Sequence, residues 1–137
     1  MTIIAGIKNT ISQNDIILST NGNQKSIQLP VKSEGRGVSV NGGELLFLAL
    51  ATCFCNDIYR EAGKRKMNII SVDVKVTGEF GSEGEPARNI SYSVTIEAPA
   101  HSEEEIQMLI RETDRVAEIQ NTIRKGVDVN LITTTGK

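Results

Sequence analysis

One segment of the chain, residues 44–55 with the sequence ELLFLALATCFC, is apolar at almost every position. Asn41 precedes it as a helix N-cap residue, and Glu44 follows three positions later, which is typical of a capping box. We therefore predict one long central helix over residues 42–66. A helix that is apolar on every side must be enclosed on every side. Since 137 residues offer little material for that enclosure, we expect a second copy of the chain to cover it in a homodimer.

Strands are predicted before this helix, in residues 1–31. Asn21 and Gly22 separate two β-prone runs, and this dipeptide indicates a tight hairpin turn because such a turn needs positive φ angles. Pro30 ends the second run. Residues 32–43, with the sequence KSEGRGVSVNGG, contain four glycines and are predicted to form a loop.

Two segments after the helix, residues 70–80 and 89–97, alternate between apolar and polar side chains. In the first of them, Val72, Val74 and Val76 face the same side. This alternation is typical of half-buried antiparallel strands with one solvated face. The polar residues between the two segments predict a hairpin loop.

Helices and one more strand are predicted in the rest of the chain. The segment 101–116 begins with a capping box at Ser102 and predicts a second helix. A shorter helical segment follows and ends at Gly126, and residues 127–133 alternate as a last strand. The order of elements predicts one α+β domain over residues 1–137, with antiparallel sheets packed around a long buried helix.

Charge and composition argue against several classes of function. The net charge is -2 and aromatic residues are 4% of the chain, whereas nucleic-acid binding needs a basic stripe and stacking aromatics. No stretch reaches the ~18 apolar residues of a membrane span, and the N-terminus lacks the pattern of a signal peptide. His101 is the one histidine and completes no ligand set. We expect a cytoplasmic protein with no nucleic-acid partner, no membrane partner, no metal and no cofactor.

The two cysteines, Cys53 and Cys55, are two positions apart in the predicted central helix. Consecutive helix residues are about 100° apart, so the two thiols diverge and can form neither an intrahelical disulfide nor one metal site. Cys53 shares its face with Asp57 and Arg60, and this polar turn suits the floor of a partly wet pocket. Cys55 lies on a more continuously apolar face, where core packing is expected. For Cys53, core packing and a reactive site both stay open.

A reactive Cys53 needs a stabilised thiolate, since free cysteine has a pKa of about 8.5. The helix dipole acts within the first turn, and Cys53 lies well beyond it. An ionised Asp57 nearby would raise the pKa of the thiol. The cation must therefore come from elsewhere. The glycine-rich loop offers Arg36, with Lys32 as a second choice, and a solvated loop charge is the alternative for both.

Residues 41–67, with the sequence NGGELLFLALATCFCNDIYREAGKRKM, resemble the core signature of the OsmC/Ohr family of osmotically induced and organic-hydroperoxide-resistance proteins. In that signature an Asn/Ser-Pro-x-Glu-Leu-Leu segment opens a buried helix that carries Ala-Cys some turns later. The matching residues are Asn41, Glu44, Leu45, Leu46 and Cys53. The surrounding strands and the segment AEIQNTIRKGVDVNL also correspond, so the resemblance covers nearly the whole chain.

The resemblance implies an intertwined homodimer and thiol chemistry. In the peroxidase members a low-pKa cysteine attacks the peroxide O–O bond and becomes a sulfenic acid. A second cysteine then condenses with it into a disulfide, which dithiols reduce. An arginine holds the thiolate, and Arg36 or Lys32 matches that arginine after a small shift of the alignment.

The family's site carries over only in part. Cys53 matches the first cysteine, whereas Ala117 stands where the second cysteine is expected. The glutamate that holds the arginine aligns with Gly43, which leaves Glu44 as its nearest candidate, one position late. Two-cysteine peroxidase chemistry is therefore not expected here.

Two hypotheses remain. In the first, the chain is a one-cysteine thiol enzyme in which Cys53 attacks an organic hydroperoxide or another apolar small molecule, Arg36 and Glu44 support the thiolate, and an unknown thiol reductant restores it. In the second, the chain is a non-catalytic dimer that binds a small molecule or senses redox state on the same fold. A basic side chain within about 4 Å of the Cys53 sulfur favours the first, and a sealed apolar environment favours the second.

Overall fold

A computed structural model describes residues 1–132 and 134–136 of the chain. They form two compact units, Met1–Leu45 and Leu46–Lys137, which are described separately. Strands come first, then a long helix, two further strands and two helices. This mixed architecture, with antiparallel sheets and one long helix, confirms the predicted α+β class. Within the described residues, no helix has the length and apolar character needed to cross a membrane.

The N-terminal unit contains an antiparallel sheet of three strands. β1 (Ile3–Asn9) pairs with β2 (Asn14–Thr20), which also pairs with β3 (Asn23–Gln24). Asn21 and Gly22 form the turn between β2 and β3, with φ angles of 48° and 82°. Both angles lie in the left-handed region that a primed turn requires, so the predicted hairpin is confirmed. The second run is shorter than predicted, because β3 pairs over only two residues.

β1 lies at one edge of this sheet and is exposed at every position. Ile4 is 57% exposed, and its neighbours Ile3 and Ile7 are also exposed. An edge strand offers unpaired N–H and C=O groups along its outer side. In a single chain, β1 therefore presents both apolar side chains and a free backbone edge to solvent.

The long helix α1 (Gly42–Lys64) begins at the predicted capping box. Asn41 Oδ1 accepts a hydrogen bond from the Glu44 N–H at 2.8 Å, and Glu44 Oε1 accepts one from the Asn41 N–H at 2.9 Å. The helix ends two residues before the predicted Lys66, which has a positive φ of 54°. Leu48 is 57% exposed, so α1 is buried along one face of the single chain and not on every side.

The C-terminal unit contains an antiparallel hairpin. β4 (Ser71–Glu79) pairs with β5 (Arg88–Glu97), and burial alternates residue by residue in both strands, as predicted. The register shifts near Gly78. A Cβ atom at this glycine would lie 2.6 Å from the Phe47 ring and 3.1 Å from Ile90, so a side chain here would force the Phe47 ring to move.

Two helices, α2 (Glu103–Val116) and α3 (Glu118–Lys125), complete the C-terminal unit. Ser102 caps α2 through its hydroxyl, which accepts the Glu105 N–H at 3.2 Å, and Gly126 ends α3 in the left-handed conformation. Buried residues of α1, α2 and the start of α3 form the core, and they are Phe54, Ile58, Ala62, Leu109 and Ala117. The inner faces of β4 and β5 pack against this cluster.

The predicted last strand over residues 127–133 is wrong for the residues that the structure describes. Residues 127–132 adopt no strand, and Thr133 lies outside the described residues. Val129 and Leu131 are exposed. A strand requires a partner for its backbone groups, and within the described residues no strand pairs with this segment. The alternating pattern indicated a tendency to form a strand, but it did not show which strand would pair with it.

Candidate functional site

Cys53, Asp57 and Arg60 lie on successive turns of α1 and share one face, as their spacing predicts. The Cys53 thiol is half-buried and donates a hydrogen bond to Asp57 Oδ2 at 3.3 Å. Asp57 is 6% exposed, which is low for a carboxylate. Arg60 Nη1 lies 3.1 Å from Asp57 Oδ1 and neutralises it.

The start of α3 brings two further groups to this face. Arg60 Nη1 also lies 3.0 Å from Glu118 Oε1. The backbone N–H of Ile119 acts on the Cys53 sulfur and lowers the pKa of its thiol. The thiol therefore sits in a group of charged side chains that we call the thiol cluster, which consists of Cys53, Asp57, Arg60 and Glu118.

Burial raises the pKa of the Cys53 thiol, and the Asp57 carboxylate raises it further, against the opposing effect of the Ile119 N–H. Sulfur is therefore protonated at neutral pH. Burial also raises the pKa of Asp57. The pKa of Glu118 is lowered, first by its own backbone N–H at the start of α3 and then by hydrogen bonds from the side chains around it. In the thiol cluster, the protonated Cys53 thiol therefore lies against the Asp57 carboxylate, whose charge Arg60 neutralises.

Arg60 is shared among several acids. One of them, Glu61, is 6% exposed. Glu61 accepts hydrogen bonds from Arg60 at 3.2 Å and from Lys64 at 3.0 Å. The Lys64 ammonium is the main cause of the lowered pKa of Glu61. Together these ion pairs fix the Arg60 guanidinium beside Asp57.

Asp57 and Arg60 were predicted on the face of Cys53, whereas the cation for the thiolate was predicted in the loop. The helical spacing of Cys53, Asp57 and Arg60 was the signal for this arrangement. Glu118 had no such signal, because its approach depends on how α3 packs against α1. Arg60 is the cation of the thiol cluster within the C-terminal unit.

The other predicted site residues belong to the N-terminal unit. Arg36 is exposed and stands between Gly35 and Gly37, both of which have positive φ angles. The carboxylate of Glu44 caps α1, as described above. The grouping of Arg36 and Glu44 with Cys53, which belongs to the other unit, stays a prediction, and so does the choice of Lys32 as a second cation.

Cys55 lies on another side of α1. Core packing was expected for it, but its thiol is free and only half-buried. It lines an open groove of about 400 Å³ whose polar lining includes Thr52, Asn56 and Asp73. The sequence alone showed the apolar neighbours of Cys55 on the helix. It did not show that β4 leaves this side partly open.

The thiol cluster also contains a set of atoms that could hold a metal ion. One ligand atom each from Cys53, Asp57 and Glu118 lie within 4.8 Å of one another. The set was not predicted from the sequence, because Glu118 is remote from the other two residues along the chain. The Arg60 guanidinium bridges the two carboxylates and supplies the positive charge that they attract.

Comparison with known proteins gives a family and a fold. The family model described as OsmC-like protein matches residues 35–132. The structure of an OsmC-like protein from Mycoplasma pneumoniae superposes with a TM-score of 0.63 at 18% identity, covering 90% of this chain and 89% of that chain.

Two further structures are similar. One is an organic hydroperoxide resistance protein OsmC from Legionella pneumophila, with a TM-score of 0.60, 19% identity and 93% coverage of both chains. The other is the organic hydroperoxide resistance protein OhrB of Bacillus subtilis, with a TM-score of 0.57, 13% identity and coverage of 93% of this chain and 94% of that chain. No individual curated protein matches the sequence significantly. On the family match over most of its length, this chain belongs to the OsmC-like protein family.

Proposed function

We propose that this protein is a thiol-dependent redox protein in which Cys53 alone reduces organic hydroperoxides. The observation that carries the proposal is the hydrogen bond from the Cys53 thiol to Asp57 Oδ2, at 3.3 Å. It gives the half-buried sulfur a built-in proton acceptor. Two structural neighbours are named for organic hydroperoxide resistance, which supports the choice of substrate class.

The proposed reaction uses the thiol and the carboxylate together. The sulfur attacks the terminal oxygen of the hydroperoxide ROOH, so that an S–O bond forms as the O–O bond breaks. Cysteine is oxidised to a sulfenic acid, and the peroxide is reduced. The thiol proton passes to Asp57 and from there to the departing alkoxide, which leaves as the alcohol ROH.

The pKa shifts favour this proton route over a preformed thiolate. Because the pKa of Cys53 is raised, little thiolate exists at neutral pH. Because burial also raises the pKa of Asp57, its carboxylate is a stronger base than an exposed one. Arg60, 3.1 Å from Asp57, is placed to stabilise negative charge as the alkoxide develops.

An external thiol restores Cys53 in this proposal. Cys55 lies on another side of α1, and position 117 is an alanine, so neither provides an intrachain partner for the sulfenic acid. A small thiol condenses with the sulfenic acid and releases water, and a second thiol then reduces the mixed disulfide. Free thiols persist in reducing compartments, and a cytoplasmic location is part of the proposal.

A homodimer is also part of the proposal. The exposed apolar edge of β1 and the exposed Leu48 on α1 are surfaces that a second copy would cover. Size-exclusion chromatography with light-scattering detection should give the mass of two chains. A mass of one chain at micromolar concentration would contradict the dimer.

Loss of free thiol after addition of one equivalent of cumene hydroperoxide tests the reaction. Cys53→Ser and Cys55→Ser form a matched pair on the same helix. Wild type and Cys55→Ser should each lose one thiol, faster as pH rises from 5 to 9, and Cys53→Ser should react no faster than free cysteine. Equal thiol loss in wild type and Cys53→Ser would overturn the proposal.

Redox sensing without turnover is the second candidate, because Ala117 and the position of Cys55 leave a Cys53 sulfenic acid without an intrachain thiol to resolve it. Excess hydroperoxide in the presence of dithiothreitol separates the two candidates. Consumption of many equivalents that depends on Cys53 supports the enzyme. Oxidation that stops at one equivalent supports the sensor.

A further inference from the structure

The acids of the thiol cluster outnumber its cation. Asp57 and Glu118 carry two negative charges and Arg60 carries one positive charge, so the net charge beside the sulfur is -1. One nitrogen of Arg60, Nη1, contacts both carboxylates, at 3.1 Å and 3.0 Å. Burial is the largest cause of the raised pKa of the Cys53 thiol, and the charges of Asp57 and Glu118 raise it further. The sulfur therefore lies in a negative electrostatic field.

The next cations along α1 are too remote to offset this field. Lys64 and Arg65 are both paired with Glu61, at 3.0 Å and 3.4 Å. Glu61 follows Cys53 by eight residues, which corresponds to about 12 Å along the helix axis. That distance exceeds the screening length of roughly 8 Å at physiological ionic strength. Their charges are therefore largely spent on Glu61 and screened at the sulfur.

Glu118 offers the negative charge to solvent. Its side chain is 62% exposed, whereas that of Asp57 is 8% exposed. Glu118 accepts a hydrogen bond from Arg60 at 3.0 Å, and since a carboxylate has about four acceptor sites, it can accept from an incoming donor as well. The Cys53 sulfur is half-buried, and a Glu118 carboxylate oxygen lies within 4.8 Å of it. A small molecule can therefore contact the sulfur and this carboxylate together.

We infer that the thiol that restores Cys53 is an aminothiol, with an ammonium group two carbons from its sulfur, and that Glu118 selects it. The inference rests on the proposed function, since it names the reductant of the Cys53 sulfenic acid. The ammonium donates to the Glu118 carboxylate, which places the incoming sulfur beside Cys53. A thiol with an anionic group in place of the ammonium is repelled by the same charge.

The reaction is the two-step reduction of a sulfenic acid by thiols. The aminothiol sulfur attacks the Cys53 sulfur, so that an S–S bond forms as the S–O bond breaks. The oxygen leaves as water and takes the thiol proton. A second aminothiol then attacks the mixed disulfide, which restores the Cys53 thiol and releases the disulfide of the aminothiol.

Methanethiosulfonates test the selection without any peroxide. The aminoethyl reagent transfers a cationic aminothiol group to a reduced thiol and forms the same mixed disulfide, whereas the sulfonatoethyl reagent transfers an anionic group. Their rates with Cys53 in full-length Cys55→Ser protein give a cation-to-anion ratio. Both reagents react with the thiolate, so a change in the pKa of Cys53 cancels in this ratio. The ratio should fall about fivefold to tenfold in Glu118→Gln, and also when salt is raised from about 10 mM to about 1 M.

Two further variants serve as controls for this ratio. Glu83→Gln removes the same charge from an exposed position in the loop between β4 and β5, outside the thiol cluster, and should leave the ratio unchanged. Glu118→Asp keeps the charge and should keep most of the ratio. A ratio that stays the same in Glu118→Gln, or that falls equally in Glu83→Gln, would overturn the inference whether or not Cys53 reduces hydroperoxides.

The reductant itself is tested on Cys55→Ser protein that has been oxidised with cumene hydroperoxide. Cysteamine and 2-mercaptoethanesulfonate carry the same two charged groups as the reagents above. The ratio of their rates should fall about fivefold to tenfold in Glu118→Gln, and a comparison between proteins cancels the different nucleophilicity of the two thiols. An unchanged ratio would overturn the inference. Absence of a sulfenic acid would overturn the proposed function and the reductant with it, while a methanethiosulfonate ratio that depends on Glu118 would still support the selection by charge.

Discussion

The two cysteines are separated by one residue on one helix, yet they lie in different surroundings. The Cys53 side of α1 meets the start of α3, and there the sulfur contacts Asp57 and the backbone of Ile119. The Cys55 side borders β4 and lines an open groove without a carboxylate hydrogen bond to the sulfur among the described residues. The chemistry of each thiol is therefore set by the side chains on its own face of α1 together with the element packed against that face.

Phe54 separates the two sides. It is 0% exposed, and its ring centroid lies 4.9 Å from that of Tyr92. Because consecutive helix residues diverge by about 100°, a fixed Phe54 holds the cysteines on either side of the core. The difference between the two thiols depends on this anchor.

The substitution Phe54→Ala should have the largest effect on this comparison. Loss of a fully buried aromatic side chain costs about 3–5 kcal/mol of unfolding free energy, a large part of the stability of a typical domain. Urea unfolding followed by circular dichroism measures the cost. Phe47→Ala, at a partly buried position of the same helix, serves as the control and should cost less. Equal costs would show that the core is not centred on Phe54.

Asp57→Asn should sharpen the comparison by changing two reactions of Cys53 in opposite directions. Removal of the carboxylate lowers the pKa of the thiol, so alkylation by iodoacetamide at pH 7 should become several-fold faster. Reduction of cumene hydroperoxide should become slower, by up to about a hundredfold, because the alkoxide no longer receives a proton from Asp57. Stopped-flow measurements of both reactions in the Cys55→Ser background provide the test.

Asp73→Asn is the matched control, since Asp73 lines the groove of Cys55 on the other side of α1. It should leave both reactions of Cys53 unchanged. If Asp57→Asn accelerated both reactions, Asp57 would act only on the pKa of the thiol and the proton relay would be wrong.

The smallest of these effects is expected in the pH dependence of the rate at which Cys53 is alkylated. Its folded-state pKa is raised, so the alkylation rate in Cys55→Ser should keep rising at pH values where a free thiol has levelled off. Because the folded pKa lies above the unfolded one, the protonated thiol contributes stability that is fully present below the unfolded pKa and is lost as pH rises through the folded value. Iodoacetamide rates on folded and urea-unfolded protein give the comparison, and coinciding profiles would contradict the shift.

Local patterns in the sequence predicted local structure well. The capping box at Asn41, the turn at Asn21 and Gly22, and the alternation in β4 and β5 each depend on neighbours within a few residues. The shared face of Cys53, Asp57 and Arg60 followed from the helical period in the same way.

Features that depend on distant contacts were missed. Glu118 reaches Arg60 across 58 positions of sequence, and only the packing of α3 on α1 brings them together. The prediction of a strand after Gly126 is wrong for a related reason, because an alternation of apolar and polar residues does not supply a partner strand. Tertiary packing also decided that Cys55 borders a groove, which its apolar helix neighbours did not reveal.

The close contact between Gly78 and Phe47 has a consequence for how this sequence can vary. A Cβ atom at position 78 would lie 2.6 Å from the Phe47 ring, and the Phe47 and Phe80 rings stack with centroids 5.9 Å apart. A side chain at position 78 therefore requires either a shift of the Phe47 ring or a smaller residue at position 47. Across related sequences these two positions should therefore covary, with a larger residue at position 78 accompanied by a smaller one at position 47.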